Sequence, residues 1–215
     1  MLCEKCWGVL HGTLSGINLV GHDSIEEFFA KQILDSIAPL YVGHAFRTSI
    51  ERSLKLVDVG TGGGFPLLPL ASEVREAHFL GIDSKRKKVE AVELMARELK
   101  LDHVKSAHKR LEDIVIDCDC TITVKAVGKC LDILDFVQLK DENLKVEIYF
   151  YKGQNFKELE GRDANKIAKR FELIEECEYS IPSYAEKRFL VGYRPKKIKS
   201  KPFLNKTLVN LSHFF

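Results

Sequence analysis

The chain alternates between two hydrophobic rhythms, and the change of rhythm marks its parts. From Asp23, apolar residues recur at helical intervals (Ile25, Phe28, Phe29, Ile33, Ile37). Asp23 with Glu26 three positions on has capping-box spacing, and Pro39 predicts the end of that helix. Residues 1–22 read as a short helix and a loop. From Leu54 the pattern becomes that of buried strands: LKLVDVG (54–60), AHFLGID (77–83), a short strand near 103–106, TITVKAV (121–127) and VEIYFY (146–151). Between the second and third lies a helix over 84–99, with Val89, Val92, Ala96 and Leu99 on one face. Strands alternating with helices predict a mostly parallel α/β sheet with right-handed crossovers. ECEYSIP and KRFLVGY (within 170–194) predict an antiparallel hairpin at its edge. The expected organisation is an N-terminal helical extension over 1–40 packed on a core domain over 41–194. A basic, then apolar tail over 195–215 would be either a docked segment or a frayed end.

Composition changes this picture little. With 215 residues, 45% apolar and 30% charged, one globular domain is expected rather than disorder. The net charge of +2 conceals basic runs at Lys85–Lys88, at Lys105, Lys109 and Arg110, and through Lys196, Lys197, Lys199 and Lys201. Such runs suit a polyanionic partner, although each also fits a solvated face. No apolar stretch approaches the roughly 20 residues of a membrane span, and the N-terminus lacks a signal-peptide pattern. The expected location is cytoplasmic, with six reduced cysteines. Cys3-x-x-Cys6, with His11 and His22 downstream, lacks the second ligand pair of a zinc site and reads as helix packing, so no metal is expected. Trp7 also reads as core. Phe150 reads as core, while Tyr149 or Tyr151 could face a nucleotide.

The candidate chemistry lies in VDVGTGGGFP (57–66). A strand that ends in glycines and runs into a helix brings backbone N–H groups close to a ligand. The dinucleotide pattern G-x-G-x-x-G would need glycine where Phe65 stands. Asp58 followed by Gly60, Gly62 and Gly64 instead fits the acid-x-G-x-G-x-G pattern of S-adenosyl-L-methionine enzymes. Asp83, ending the second strand, can accept ribose hydroxyls, with Ser84 beside it. The Asp/Asn-Pro-Pro-aromatic segment of amine methyltransferases is absent from 119–127. Cys118, Cys120 and Cys130 read as small strand or packing residues rather than nucleophiles. A target atom with a free lone pair, such as guanine N7, requires orientation and no general base.

These segments resemble the bacterial small-subunit ribosomal RNA guanine-N7 methyltransferases, also called the glucose-inhibited division protein B family. The matching pieces are INL (17–19), ILDSI (33–37), VDVGTGGGFPLLPLA (57–71), EAHFLGIDSKRKKV (76–89), RLED (110–113), VKA (124–126), KGQ (152–154) and EKRFLVGYR (186–194). The resemblance implies a Rossmann-like class I methyltransferase that uses S-adenosyl-L-methionine to methylate N7 of a guanine in the decoding-region loop of 16S rRNA, as free RNA or in the small ribosomal subunit. It implies a cofactor site at Asp58, Gly60, Gly62, Gly64, Phe65, Asp83, Ser84, Leu111 and Glu112. Lys125 would position substrate or cofactor. Lys31, Asp35, Ser36, Lys85 and Arg86 would meet RNA. Two positions depart from the family pattern: its basic-His pair is Lys31-Gln32 here, and its Ser/Thr-Arg-Ala-Phe segment is Val124-Lys125-Ala126-Val127. Lysine keeps the charge but loses the planar fork of arginine. Two other readings therefore stay open: a non-catalytic RNA-binding or ribosome-assembly protein on this fold, and a methyltransferase with a different RNA or small-molecule substrate.

Overall fold

The structure is a computed structural model describing residues 2–17, 19, 21, 23–182, 184–197 and 208–215. His22, Asn18 and the lysines of 199–206 lie outside the described residues.

Helix α1 (Leu2–His11) precedes a long helical run built from α2 (Ile25–Phe28), a π-helical stretch (Phe29–Leu34), α3 (Asp35–Ile37) and α4 (Pro39–Val42). Two expectations are corrected here. The cap is Ser24, not Asp23: its hydroxyl accepts from Glu27 N at 3.1 Å, so the capping spacing holds one residue later. Pro39 does not stop the helix. It opens α4, where Ala38 keeps helical dihedrals and Ala38 O accepts from Tyr41 and Val42. Proline gives up one N–H, and the Asp35 carbonyl four residues back receives the Tyr179 hydroxyl instead, at 3.5 Å.

A further helix, α5 (His44–Ser53), escapes the periodicity reading because its polar residues dominate. Its N-terminal N–H groups at Ala45 and Phe46 are capped from across the fold by the two oxygens of Glu175. The core then follows as β1 (Lys55–Val59), α6 (Leu67–Glu73), β2 (His78–Asp83), α7 (Arg86–Glu98), β3 (Val104–His108), a 3-10 turn (Leu111–Asp113), β4 (Ile114–Val115) and β5 (Cys120–Lys125). It continues with α8 (Cys130–Asp135), β6 (Val146–Gly153), α9 (Phe156–Glu160), α10 (Ala164–Ala168), β7 (Phe171–Ser180), β8 (Lys187–Pro195) and β9 (Val209–Asn210).

Seven strands form one sheet in the order β3-β2-β1-β5-β6-β8-β7, parallel except where β8 runs against β6 and β7. This is the Rossmann-like class I methyltransferase arrangement, with the expected antiparallel hairpin at its edge. Side chains alternate between two buried faces. Leu56, Tyr149 and Tyr151 pack with Cys6, Phe28, Phe46 and α6–α7 on one side. Val57, Val59, Ile148 and Phe150 pack with α8, α10 and Leu211 on the other. Cys6 is fully buried and Trp7 stacks on His11, so both serve helix packing. Residues 208–215 are docked, since β9 pairs in parallel with β4.

Candidate active site

At the C-terminal end of β1 the chain makes a tight turn through residues 60–64, pinned to β2 because Gly60 N and Thr61 N both donate to Ile82 O at 2.8 and 3.0 Å. Gly60 and Gly64 adopt φ of +69° and +89°, and a Cβ on them would lie 2.4 Å from Val127 and 2.5 Å from Leu68. Glycine is thus required at both positions by backbone conformation and by neighbouring side chains. Gly62, at φ +56°, has room for a Cβ at ordinary contact distance from Gly60 O and Lys88 Nζ. Phe65 turns its ring inward, edge-on to Phe28.

Asp83 ties the loop to the next element. Its Oδ2 accepts from Gly62 N at 3.1 Å and its Oδ1 from Lys85 N at 2.8 Å. Each oxygen retains a lone-pair direction for another donor. Ser84 is exposed, and its carbonyl meets His108 Nε2 at 3.0 Å. His108 is the register partner of Asp83, so the Leu111–Asp113 turn that follows β3 starts from the same edge of the sheet. Leu111 is buried and Glu112 half-exposed, with Glu112 O accepting from Gln138 Nε2.

Asp58 occupies a place that sequence reasoning did not describe. It is 1% exposed, and its Oδ1 accepts from the Thr123 hydroxyl at 2.9 Å. Among the described residues, Oδ2 and the Thr61 hydroxyl near it are buried with no partner in good hydrogen-bonding geometry. Burial pushes Asp58 up to about 7, opposed by the nearby Thr61 and Thr123 hydroxyls and by the Lys125 charge. An unsatisfied carboxylate beside a glycine turn fits a ligand bearing a cation or a strong donor. A sulfonium nucleoside with an α-amino group has that chemistry.

Beyond β5 and β6 the same edge opens into a cavity of about 660 Å³. Lys31, Lys125, Lys152, Lys187 and Arg188 line it, against Asp35, Glu160 and Glu186, giving an excess of positive charge. Its centre is a wired group. Lys125 Nζ pairs with Asp35 Oδ2 at 2.7 Å and donates to Lys31 O and toward Gln32 Oε1 at 3.1 and 3.5 Å. Asp35 Oδ1 accepts from Tyr179 OH at 2.9 Å and has Arg188 Nε at 3.7 Å. Burial lowers the Lys125 pKa, and the Asp35 carboxylate counters it. The two departures from the family pattern, Gln32 and Lys125, therefore touch each other.

The expected RNA-facing residues divide. Lys31 lines the cavity, bridged to Glu27 and lying over the Tyr184 ring. Asp35 lines it too, yet is 2% exposed and occupied by cations. Ser36 is corrected: it is fully buried, its hydroxyl bonded to Gln32 O and its carbonyl to Tyr151 OH, so it cannot reach RNA. Lys85 and Arg86 are exposed at the start of α7, beside Asp83 rather than in the cavity. Of the two tyrosines offered as alternatives, Tyr149 is fully buried with its hydroxyl on Glu147, and Tyr151 is the one that lines the cavity. Cys120 and Cys130 are buried, and burial raises their thiols, which suits packing. Sequence reasoning missed Lys152, Gln154, Tyr179 and Arg188 as cavity residues. KGQ and EKRFLVGYR contained three of them, but nothing in their spacing joins them to Lys125.

The family profile described as rRNA small subunit methyltransferase G matches residues 7–188. The ribosomal RNA small subunit methyltransferase G of Flavobacterium psychrophilum is 33% identical over 160 residues, covering 72% of this chain and 74% of that protein. That of Petrotoga mobilis is 29% identical over 193 residues, covering 86% and 82%. Among solved structures, a ribosomal protein L11 methylase from Lactobacillus delbrueckii subsp. bulgaricus superposes with a TM-score of 0.50 at 17% identity, over 70% of this chain and 76% of that one. That last likeness is one of fold.

Proposed function

This chain belongs to the rRNA small subunit methyltransferase G family, and from that premise we propose that it transfers a methyl group from S-adenosyl-L-methionine to N7 of a guanine in the decoding-region loop of 16S rRNA. The observation that carries the reading is the buried Asp58 carboxylate under the glycine turn, one oxygen of which is left without a well-placed partner among the described residues, one strand from the Lys125 cavity. S-adenosyl-L-methionine supplies an electrophilic methyl group on a sulfonium. Asp58 and the 60–64 turn hold its amino-acid end, Asp83 its ribose hydroxyls, and Leu111 and Glu112 flank its adenine. Lys31, Lys125 and Arg188 give the cavity the charge to draw in a nucleotide and its phosphates.

Guanine N7 carries no proton, so nothing in the cavity has to remove one. That agrees with Asp35, whose two oxygens are already taken by Lys125, Tyr179 and Arg188. Its task is to keep Lys125 charged and placed. The residues then contribute orientation and charge rather than proton transfer. Calorimetry with S-adenosyl-L-methionine comes first, and a folded protein that does not bind it ends the enzymatic reading. Mapping N7-methylguanosine in 16S rRNA from cells lacking the protein then tests the target. The mark should be missing; its retention would exclude this substrate.

A further inference from the structure

The family match ends at residue 188, yet the chain goes on to complete part of the core. Between β3 and β5 the chain must cross two strands, β2 and β1, using residues 109–119. A parallel crossover ordinarily employs a helix that covers the sheet. Here it holds no helix of that kind, but a 3-10 turn, the two residues of β4 and a single bridge from Ile116 to Leu139. The missing cover comes from residues 208–215. Val209 and Asn210 pair with Ile114 and Val115, and Leu211 is 1% exposed in the same cluster as Val57, Leu80 and Ile82. Ser212 fastens the end of the segment, with its N and Oγ on the two oxygens of Asp117 at 2.9 and 2.8 Å. Lys105 Nζ donates to Phe215 O at 2.9 Å.

We infer that residues 208–215 are a positioning element for the methyl donor. By pairing with β4 they hold the directly preceding Leu111–Asp113 turn in the place where it flanks the adenine. The inference rests on the cofactor reading above, which assigns Leu111 and Glu112 to that end of the ligand. It implies reciprocity: if the docked tail favours the bound turn, the ligand favours the docked tail by the same factor.

Two measurements on the full chain test this, with S-adenosylhomocysteine as the probe. Calorimetry on Leu211→Ala should show a dissociation constant raised by roughly fivefold or more over the unmodified protein. Ser212→Ala, a milder variant that keeps the buried leucine, should show a smaller rise in the same direction. Hydrogen exchange on the unmodified protein should show the probe slowing the amides of 114–115 and 209–212 more than those of the remote β7–β8 hairpin. If the probe binds, but both variants match the parent and exchange in the tail is unaltered, the tail is only a cover and the inference is overturned. If the parent itself does not bind the probe, the cofactor reading fails and takes this inference with it.

Discussion

The glycine turn and the Lys125 cavity share one edge of the sheet but are held in opposite ways. The turn is specified by the backbone. Left-handed φ values within residues 60–64, close neighbours at Val127 and Leu68, and backbone bonds to Ile82 O fix it. The cavity is specified by side chains drawn from α3, β5, β6, β7 and β8, and one carboxylate, Asp35, ties three of those side chains together. A turn held by backbone bonds tolerates exchange of many surrounding side chains, because the main-chain bonds to Ile82 O do not depend on them. A convergent network of charges depends on every member, because a buried ion left alone is costly.

The largest effect should come from breaking that network. Asp35→Ala strands Lys125 in a site where it is 15% exposed, and should cost about 3–5 kcal/mol of stability in urea unfolding. A loss below about 1 kcal/mol would mean that the network is not what holds the cavity. Asp83→Ala removes acceptors for Gly62 N and Lys85 N and should weaken S-adenosyl-L-methionine by about 1–3 kcal/mol. An unchanged dissociation constant in calorimetry would show that the carboxylate braces the turn without meeting the ligand.

Asp58 sharpens the contrast through pH. Its folded pKa, about 7, lies above the ordinary value of 3.8. Below about pH 4 the carboxyl is protonated whether folded or unfolded. Between there and about pH 7 the unfolded chain has lost the proton that the folded one keeps, so stability declines as pH rises. Asp58→Asn should remove that decline and gain about 2–3 kcal/mol over the parent at pH 8 relative to pH 5 in urea titrations. The same variant should bind S-adenosyl-L-methionine more weakly. Parallel pH profiles for the two proteins would show that Asp58 does not titrate in that range. The smallest effect is expected from Lys125→Arg, which keeps the charge beside Asp35 and should hold methylation of 16S rRNA within about 1 kcal/mol of the parent. A folded but inactive variant would mean that Lys125 and Gln32 form a geometry of their own.

The same contrast explains what could be read from the chain. Strand alternation, the helix over 84–99 and the 57–66 turn were legible because their signals are local. Asp83 could be placed because it ends the strand beside the turn. The cavity was largely hidden: Arg188 and Tyr179 stand on an edge hairpin more than fifty residues from Lys125, and only folding brings them to Asp35. Ser36 was misplaced because a motif near a site says nothing of which way a helical residue faces. Helix α5 was missed because polar residues dominate it, and the Glu175 that caps it lies far along the chain on β7. The docking of 208–215 rests on a pairing with β4, and two-residue strands leave no periodicity to detect.

The π-helical stretch has its own consequence for how this region can vary. There the Asp35 N–H reaches back five residues to Ala30 O, so Phe29–Leu34 holds one residue more than ordinary winding would. Deleting one position inside it would close the bulge and restore the 3.6-residue turn, leaving the flanking turns in phase but re-aiming the residues within the stretch. Lys31 O and Gln32 would then swing away from the ammonium they now share. Exposed Phe29 should tolerate exchange of its side chain, whereas shortening the segment by a single residue should abolish methylation in an otherwise folded protein. Evolution can therefore edit the lettering of this stretch far more freely than its length.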